Sequence, residues 1–238
     1  MSSSIRCLCF ISVLVLGAFA GSEPNRDRRI QPKIYDQISR AEYALEQGDY
    51  AAAEAYAGLV LLKDEVRIQV NFSRCQPDRV ADAEAALESA ARMWEDALDH
   101  TVDFVFVTSG PADVQVKVRD AVKMYGQDVA GHATWSRSVK TYGGTTYGYQ
   151  LRADVQLRTQ APNGEDLSIA AMRHTAAHEL GHLLGLEDSH RLGDIMGLLR
   201  IDRPATGPSY EELSRLQEVR AYAKNVSDNA LSASIRRR

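Results

Sequence analysis

The chain has 238 residues, 45% of them hydrophobic and 25% charged, which is typical of one globular domain with a small appendage. Acidic residues outnumber basic ones by 32 to 28, and this balance argues against a nucleic-acid partner. Of the three cysteines, only Cys75 lies beyond the first nine residues, so no disulfide framework is expected.

The first 20 residues have the features of a cleaved signal peptide. Arg6 precedes an apolar run from Cys7 to Gly17, and Ala18-Phe19-Ala20 places small residues where signal peptidase reads them. The apolar run is shorter than the roughly 20 residues of a spanning helix, which disfavours an uncleaved membrane anchor. We therefore expect cleavage after Ala20, a secreted protein (extracellular or periplasmic), and no membrane association afterwards.

Residues 21–63 are expected to form a polar lead-in followed by a helical hairpin. The segment from Ser22 to Pro32 is polar and charged, so we expect it to be disordered. Two helical patterns follow, at 34–47 and 50–62, and Asp49 stands where it can cap the second helix. The hairpin resembles one tetratricopeptide unit, but no second copy follows to bury its face. A pro-segment, a packing accessory and a docking surface for a protein partner all stay open.

From Lys63 onwards the pattern alternates between strands and helices. Strands are predicted at 66–72, 102–108, 113–119, 131–137 and 153–158, helices at 77–98 and 167–184, and a turn at Gly143-Gly144. This order indicates an α/β (α+β) fold with a mixed sheet. A final helix is predicted at 210–224, acidic at its start as a helix dipole prefers, followed by a flexible basic tail at 227–238.

The segment HELGHLLGLED, which begins at His178, concentrates metal-binding side chains on the second of these helices. Residues four apart project from one helix face, so His178 and His182 present two imidazoles to one point, as a tetrahedral zinc requires. Glu179 is adjacent to the first histidine but turned aside, where it can hold a water rather than bind the metal. Gly185 can adopt a positive φ, end the helix and return the chain beneath the metal. Asp188 is the next donor along the chain.

The extended pattern H-E-x-x-H-x-x-G-x-x-D, followed by a methionine at Met196, resembles the metzincin clan of zinc peptidases and, within it, the matrixin-like enzymes. Matrixins usually have a histidine where this chain has Asp188, and snapalysin-like enzymes have an aspartate there. The resemblance implies a zinc site and a Met-turn beneath it. Its residues would be His178, His182 and Asp188, with His190 as the alternative third ligand, and Met196 in the Met-turn.

The same resemblance implies a metzincin-like zincin fold over residues 64–226. It would contain a twisted, mixed five-stranded sheet with an antiparallel edge strand, an active-site helix and a C-terminal helix. The edge strand around Gly131–Arg137 would bind an extended protein or peptide substrate by backbone pairing, and Leu198 and Leu199 would wall the adjoining pocket. Structural calcium is common in the family, so Ca²⁺ is a further candidate cofactor, in the region of Asp128, although no coordination set can be assembled from the sequence.

The implied function is that of a secreted zinc-dependent metalloendopeptidase in which Glu179 is the general base toward a zinc-activated water. Two other interpretations remain. A gluzincin-type site would take its third ligand from Glu211 or Glu212, although Gly185 and Met196 fit the metzincin turn. A non-catalytic interaction protein would keep zinc for structure and bind its partner through the hairpin, although a structural site has no need of Glu179.

Two further residues are interpreted as structural. The segment around Cys75 resembles the cysteine switch of matrixin pro-peptides, but it follows the first strand, whereas a switch must precede that strand and thread the cleft. His174 lies one turn before His178 on the same helix face, and we expect it to be packed or hydrogen-bonded inside the protein.

Overall fold

The computed structural model describes residues 28–62 and 65–237. The predicted signal peptide at residues 1–20 and most of the polar lead-in lie outside the described residues. Within the described part of the chain, no helix combines the length and the apolar character that crossing a membrane requires.

The described residues contain five α-helices, seven strands and one short 3-10 helix at Pro77–Arg79. The helices are α1 (Pro32–Glu46), α2 (Tyr50–Leu61), α3 (Val80–Ala97), α4 (Ile169–Leu184) and α5 (Tyr210–Arg236). The strands are β1 (Glu65–Arg74), β2 (Asp103–Phe106), β3 (Val114–Arg119), β4 (Val122–Met124), β5 (Gln127–Val129), β6 (Gly131–Tyr142) and β7 (Thr145–Arg158). Every predicted helix and strand is present, and the short β4–β5 hairpin is an addition that the sequence pattern does not predict.

The five-stranded sheet has the order β2-β1-β3-β7-β6. β2, β1, β3 and β7 run parallel, and β6 pairs antiparallel with β7 at the edge. In β3 the residues alternate between buried and half-buried positions, and Val114, Val116 and Val118 face the core. The predicted α/β (α+β) class and the mixed five-stranded sheet with an antiparallel edge strand are confirmed.

The edge hairpin of β6 and β7 is longer than predicted. The two strands continue to the turn at Gly143-Gly144, where both glycines have positive φ angles of 56° and 81°. Ala133 is the one buried residue of β6, and from there to Val139 inner and exposed positions alternate. The alternation that reveals a strand in sequence stops over residues 140–142. Pairing with β7, rather than burial, maintains the outer half of β6.

The histidine-bearing helix α4 is fixed by α3 and by its own caps. Trp94 of α3 is fully buried, and its indole N–H donates to the Ala177 carbonyl oxygen of α4 at 2.8 Å. The Ser168 hydroxyl caps the start of α4 by accepting a hydrogen bond from the Ala171 N–H at 3.2 Å. The helix ends at Gly185, whose φ of 112° is the left-handed conformation expected there.

The hairpin of α1 and α2 packs directly on the sheet and on α5. As predicted, Asp49 caps α2, accepting a hydrogen bond from the Ala52 N–H at 3.0 Å. Gly58 lies so close to the Tyr149 ring of β7 that a Cβ would come within 2.4 Å of it. The buried residues Ile34 and Ile38 of α1 belong to the same continuous core as the strands.

The end of the lead-in and the C-terminal tail both differ from their predictions. Residues 28–31 are ordered rather than disordered, because Ile30 is buried and forms an antiparallel bridge with Leu186. The tail is not loose, since α5 continues to Arg236 and buries Val226 and Ala230. Ala230 packs against alanines of the hairpin, and such small residues give little hydrophobic signal in a sequence.

Candidate metal centre

Two histidines of α4 direct their Nε2 atoms toward a common point. The rings of His178 and His182 meet edge to face, with their centroids 4.8 Å apart. The Nδ1 atom of His178 binds the Ile195 carbonyl oxygen at 3.1 Å, and that of His182 binds the Leu186 carbonyl oxygen at 2.9 Å. A carbonyl oxygen can only accept, so the proton of each neutral ring sits on Nδ1 and Nε2 keeps a free lone pair. This is the arrangement that a metal-binding imidazole needs.

Asp188 completes a three-donor group with the two histidines. Its Oδ1 atom lies 3.2 Å from the Nε2 atom of His178 and 3.4 Å from that of His182. A tetrahedral zinc with bonds of about 2.0–2.2 Å separates its donors by roughly 3.3–3.6 Å, so this spacing fits one zinc ion. His190 is exposed and does not belong to the group, which among the described residues is the one set of three such side chains that could hold a metal.

The charges of the group are strongly coupled. His178 and His182 donate hydrogen bonds from Nε2 to Asp188 when their rings are protonated. These bonds hold the pKa of Asp188 far below its usual range, so this carboxyl is an anion at neutral pH. Burial lowers the pKa of His182, but its hydrogen bonds to Asp188 and Leu186 and the nearby charge of Glu179 outweigh burial and raise the pKa. Asp188 therefore brings a negative charge to the point where the two Nε2 atoms converge, and a metal ion there would compete with protons for the histidines.

Glu179 lies beside the donor group without being part of it. Its side chain is only 4% exposed, and burial raises its pKa although His178 and His182 act in the opposite direction. Gly131, at the start of β6, lies so close that a Cβ there would come within 2.5 Å of the Glu179 Oε1 atom. The glycine thus lets the edge strand pass directly beside a buried carboxylate with raised proton affinity.

Met196 lies in a buried turn beneath α4. Its sulfur packs against Gly181, where a Cβ would come within 2.4 Å of it. The backbone N–H groups of Ile195 and Met196 donate to the carboxylate of Glu212 at 3.2 and 2.7 Å. Because the Ile195 carbonyl oxygen binds His178, Glu212 stabilises the position of that histidine through the backbone. The sequence signal for Glu212 is its capping box with Ser209, which the structure forms.

The alternative ligands occupy other places. Glu212 is occupied by the backbone N–H groups of the Met196 turn, and Glu211 pairs with Arg29 and Arg191. Neither glutamate belongs to the donor group, so a gluzincin-type site is not formed. Asp128 lies 3.6 Å from the Arg158 guanidinium, and calcium remains a prediction.

Cys75 and His174 have structural surroundings. The Cys75 thiol is half-buried, burial raises its pKa, and it lies outside the donor group. His174 is buried, and its Nδ1 atom accepts a hydrogen bond from the Ala205 N–H at 3.0 Å. Burial lowers the pKa of His174, so it is neutral at physiological pH. The expectation of a packed, hydrogen-bonded His174 is confirmed.

A cleft of about 610 Å³ runs beside the donor group. His178, Glu179 and Asp188 line it on one side, and Gly131 marks the edge strand along it. Leu198 and Leu199 form part of its wall, as the sequence predicts. The cleft therefore joins an open sheet edge, a candidate metal centre and an apolar pocket in one concave surface.

Comparison with known proteins agrees with this geometry. A protein-family model described as matrixin matches residues 63–204, which is more than half of the chain. The matched region contains the donor group, Glu179 and Met196, whereas α1, α2 and α5 lie outside it. A search of curated proteins found no significant match.

Proposed function

The chain belongs to the matrixin family of metzincin zinc metallopeptidases, and on that premise we propose that it is a secreted endopeptidase. The observation that carries the proposal is the pairing of a three-donor group with a separate buried carboxylate, Glu179, on one cleft. Three protein ligands leave one zinc coordination position open for water or substrate, as in catalytic sites, whereas structural sites use four protein ligands. Secretion is supported by the signal-peptide pattern of residues 1–20.

We propose His178, His182 and Asp188 as the zinc ligands, with Met196 forming a Met-turn beneath them. Bound zinc would supply Lewis acidity at their common point, which lowers the pKa of a water and polarises a substrate carbonyl group. The protein contributes fixed ligand orientation, through the carbonyl oxygens that hold both Nδ1 atoms.

Glu179 is the proposed general base. Its raised pKa suits a group that accepts a proton from the attacking water and later transfers it to the leaving amine. Its near-complete burial keeps it from being solvated as an ordinary surface carboxylate, and its place beside Gly131 brings it to the level of the edge strand.

Strand β6 is the proposed binding element for an extended substrate. It is the last strand of the sheet in the described part of the chain, so its outer edge has free backbone donors and acceptors. A peptide paired with that edge would run past Gly131 and so past Glu179. This geometry favours an endopeptidase, because the substrate can continue beyond both ends of the site.

Cleavage of a mixed peptide library by the zinc-loaded chain, starting at Gly21, tests the proposal. Glu179→Gln should lower kcat by roughly 100- to 10,000-fold, the usual contribution of a general base, without loss of zinc. Glu84→Gln, the same change on the exposed side of α3, serves as the matched control and should retain activity. A chelated sample should be inactive.

Two outcomes would contradict the proposed roles. Loss of zinc from Glu179→Gln would identify Glu179 as a ligand. A folded, zinc-loaded chain that cleaves no peptide would favour the interaction protein that uses the α1–α2 hairpin.

A further inference from the structure

We propose that residues 29–31, the clamp segment, hold the metal-binding loop in position, with Gln31 as a positioning residue for His182 and Asp188. The metal-binding loop is defined here as residues 185–188, between the end of α4 and the third donor. The inference rests on the proposed zinc site, but it concerns a part of the chain that the matched family region does not include.

The clamp segment pairs with this loop through one isolated antiparallel bridge. The Gln31 N–H donates to the Gly185 carbonyl oxygen at 2.9 Å, and the Glu187 N–H donates to the Arg29 carbonyl oxygen at 2.8 Å. Between them, Ile30 bridges Leu186. These bonds fix the residue at which α4 ends and the residue that directly precedes Asp188.

The Gln31 side chain adds a link to a histidine. Its side-chain amide is buried, with the residue only 2% exposed, and Nε2 donates to the carbonyl oxygens of His182 at 3.0 Å and Leu186 at 2.9 Å. The Leu186 carbonyl oxygen is also the group that binds the His182 Nδ1 atom at 2.9 Å. Gln31 is therefore two hydrogen bonds away from the imidazole ring, through an oxygen that sets the ring's orientation.

Packing alone does not explain why residue 31 is a glutamine. The Oε1 atom of Gln31 is buried and has no hydrogen-bond partner. An apolar side chain of the same size would avoid that unsatisfied oxygen. Only a side chain with an N–H donor can form the two hydrogen bonds that Gln31 donates to the carbonyl oxygens of His182 and Leu186.

The clamp segment is itself anchored in the core. Ile34, in the first turn of α1, packs so closely on Gly185 that a Cβ at Gly185 would come within 2.7 Å of the Ile34 Cγ1 atom. Arg29 pairs with Glu211 of α5 at 2.9 Å. The α1–α2 hairpin thus supports the metal site, which disfavours its removal as a pro-segment.

Metal titration of the full chain after signal cleavage tests the inference without relying on cleavage activity. We would compare Gln31→Met with Gln37→Met, a matched change on α1 at a glutamine that is 8% exposed. After chelation, Co²⁺ is added and followed by visible absorption, and zinc affinity is measured by competition with a chromophoric chelator. Thermal unfolding of both metal-free variants measures any general loss of stability.

Gln31→Met should lower the zinc affinity roughly 10-fold and change the shape of the Co²⁺ absorption band. This is the low end of the effect of losing an outer-shell partner, because Gln31 acts through the Leu186 carbonyl oxygen. Gln37→Met should leave the zinc affinity and the absorption band unchanged. Equal affinity of Gln31→Met and the unaltered chain, or an equal loss in Gln37→Met, would overturn the inference. If Gln31→Met does not fold, Gln31→Asn is measured instead, because its amide is one methylene group too short to reach both carbonyl oxygens. Unchanged zinc affinity in Gln31→Asn would also overturn the inference.

The two proposals fail in different ways. A chain that binds Co²⁺, responds to Gln31→Met and cleaves no peptide would support the clamp and overturn the endopeptidase. If the chain cleaves peptides and Gln31→Met leaves the metal affinity unchanged, the endopeptidase is supported and the clamp is overturned.

Discussion

Asp188 is the exposed member of the donor group, with 71% of its side chain accessible, whereas His178 and His182 are largely buried on α4. Its position depends on the chain after it: the Ser189 N–H donates to the Met196 carbonyl oxygen at 2.7 Å, and the Ser189 hydroxyl donates to the Asp194 carboxylate at 2.6 Å. A carboxylate at this place adds a negative charge to the site. Bound zinc would accordingly be a weaker Lewis acid than with a third imidazole.

Asp188→Ala should lower zinc affinity far more than His190→Ala does. Removal of a ligand should cost more than the roughly 100-fold that loss of an outer-shell partner can cost, whereas His190 lies outside the donor group. Competition with a chromophoric chelator measures both variants under the same conditions. A larger loss of zinc affinity in His190→Ala than in Asp188→Ala would identify His190 as the third ligand.

Zinc affinity should fall with decreasing pH, beginning above pH 6.5. Protons and zinc compete for the Nε2 atoms, and the pKa of His182 is raised above its ordinary value of 6.5 because Asp188 and the Leu186 carbonyl outweigh burial. A raised pKa means that the proton competes already at higher pH. Protonation of Asp188 does not change the zinc affinity in this pH range, since the pKa of Asp188 lies far below it. Zinc titrations between about pH 5 and 8 would check this pH dependence. A zinc affinity that does not change until the pH reaches the ordinary histidine pKa would contradict it.

Side chains from two distant segments donate hydrogen bonds to the C-terminal end of α4. Arg137 of β6 donates to the Leu183 carbonyl oxygen, and Gln31 donates to that of His182. Burial lowers the pKa of Arg137 to about 10, which leaves it charged at neutral pH. A cation at a helix C-terminus is favourable because the last carbonyl groups carry partial negative charge. These donors hold the end of the helix that carries the second histidine.

Local spacing explains why the α4 residues could be predicted from sequence while their supports could not. His178 and His182 are aligned by helical geometry alone, and Gly185 ends the helix by its own conformational freedom. Gln31 acts on carbonyl groups 151 and 155 residues away, and no local pattern announces such a contact. Glu212 could be recognised as a capping residue, but not as the acceptor for the Met196 turn.

Glu212→Ala should destabilise the protein through the turn it holds. The substitution leaves the buried N–H groups of Ile195 and Met196 without an acceptor, and each such group costs about 1–3 kcal/mol. We expect the free energy of unfolding to fall by at least about 2 kcal/mol in urea titrations. Glu211→Ala removes the partly exposed ion pairs with Arg29 and Arg191 and should cost under about 1 kcal/mol. Equal losses in the two variants would contradict the role of Glu212.

The whole molecule adds a layer of three helices, α1, α2 and α5, to the region that matches the matrixin model. The layer is bonded together: Tyr222 of α5 donates to Glu42 of α1, and Arg220 donates to the Val60 carbonyl oxygen of α2. One continuous core runs from Ile30 to Val226 through the sheet. The last turns of α5 escaped prediction because their contacts are made by small residues against a hairpin far away in the sequence.

The contacts of Gln31 and Glu212 form at different stages of chain synthesis. A chain on the ribosome presents its N-terminal part first, so Gln31 emerges long before the carbonyl groups that it binds. The turn at Met196 has no acceptor for its N–H groups until Glu212 has been synthesised. The full set of hydrogen bonds around the α4 histidines therefore forms only after residue 212 has been synthesised. The candidate metal centre is thus assembled from segments at both ends of the described chain.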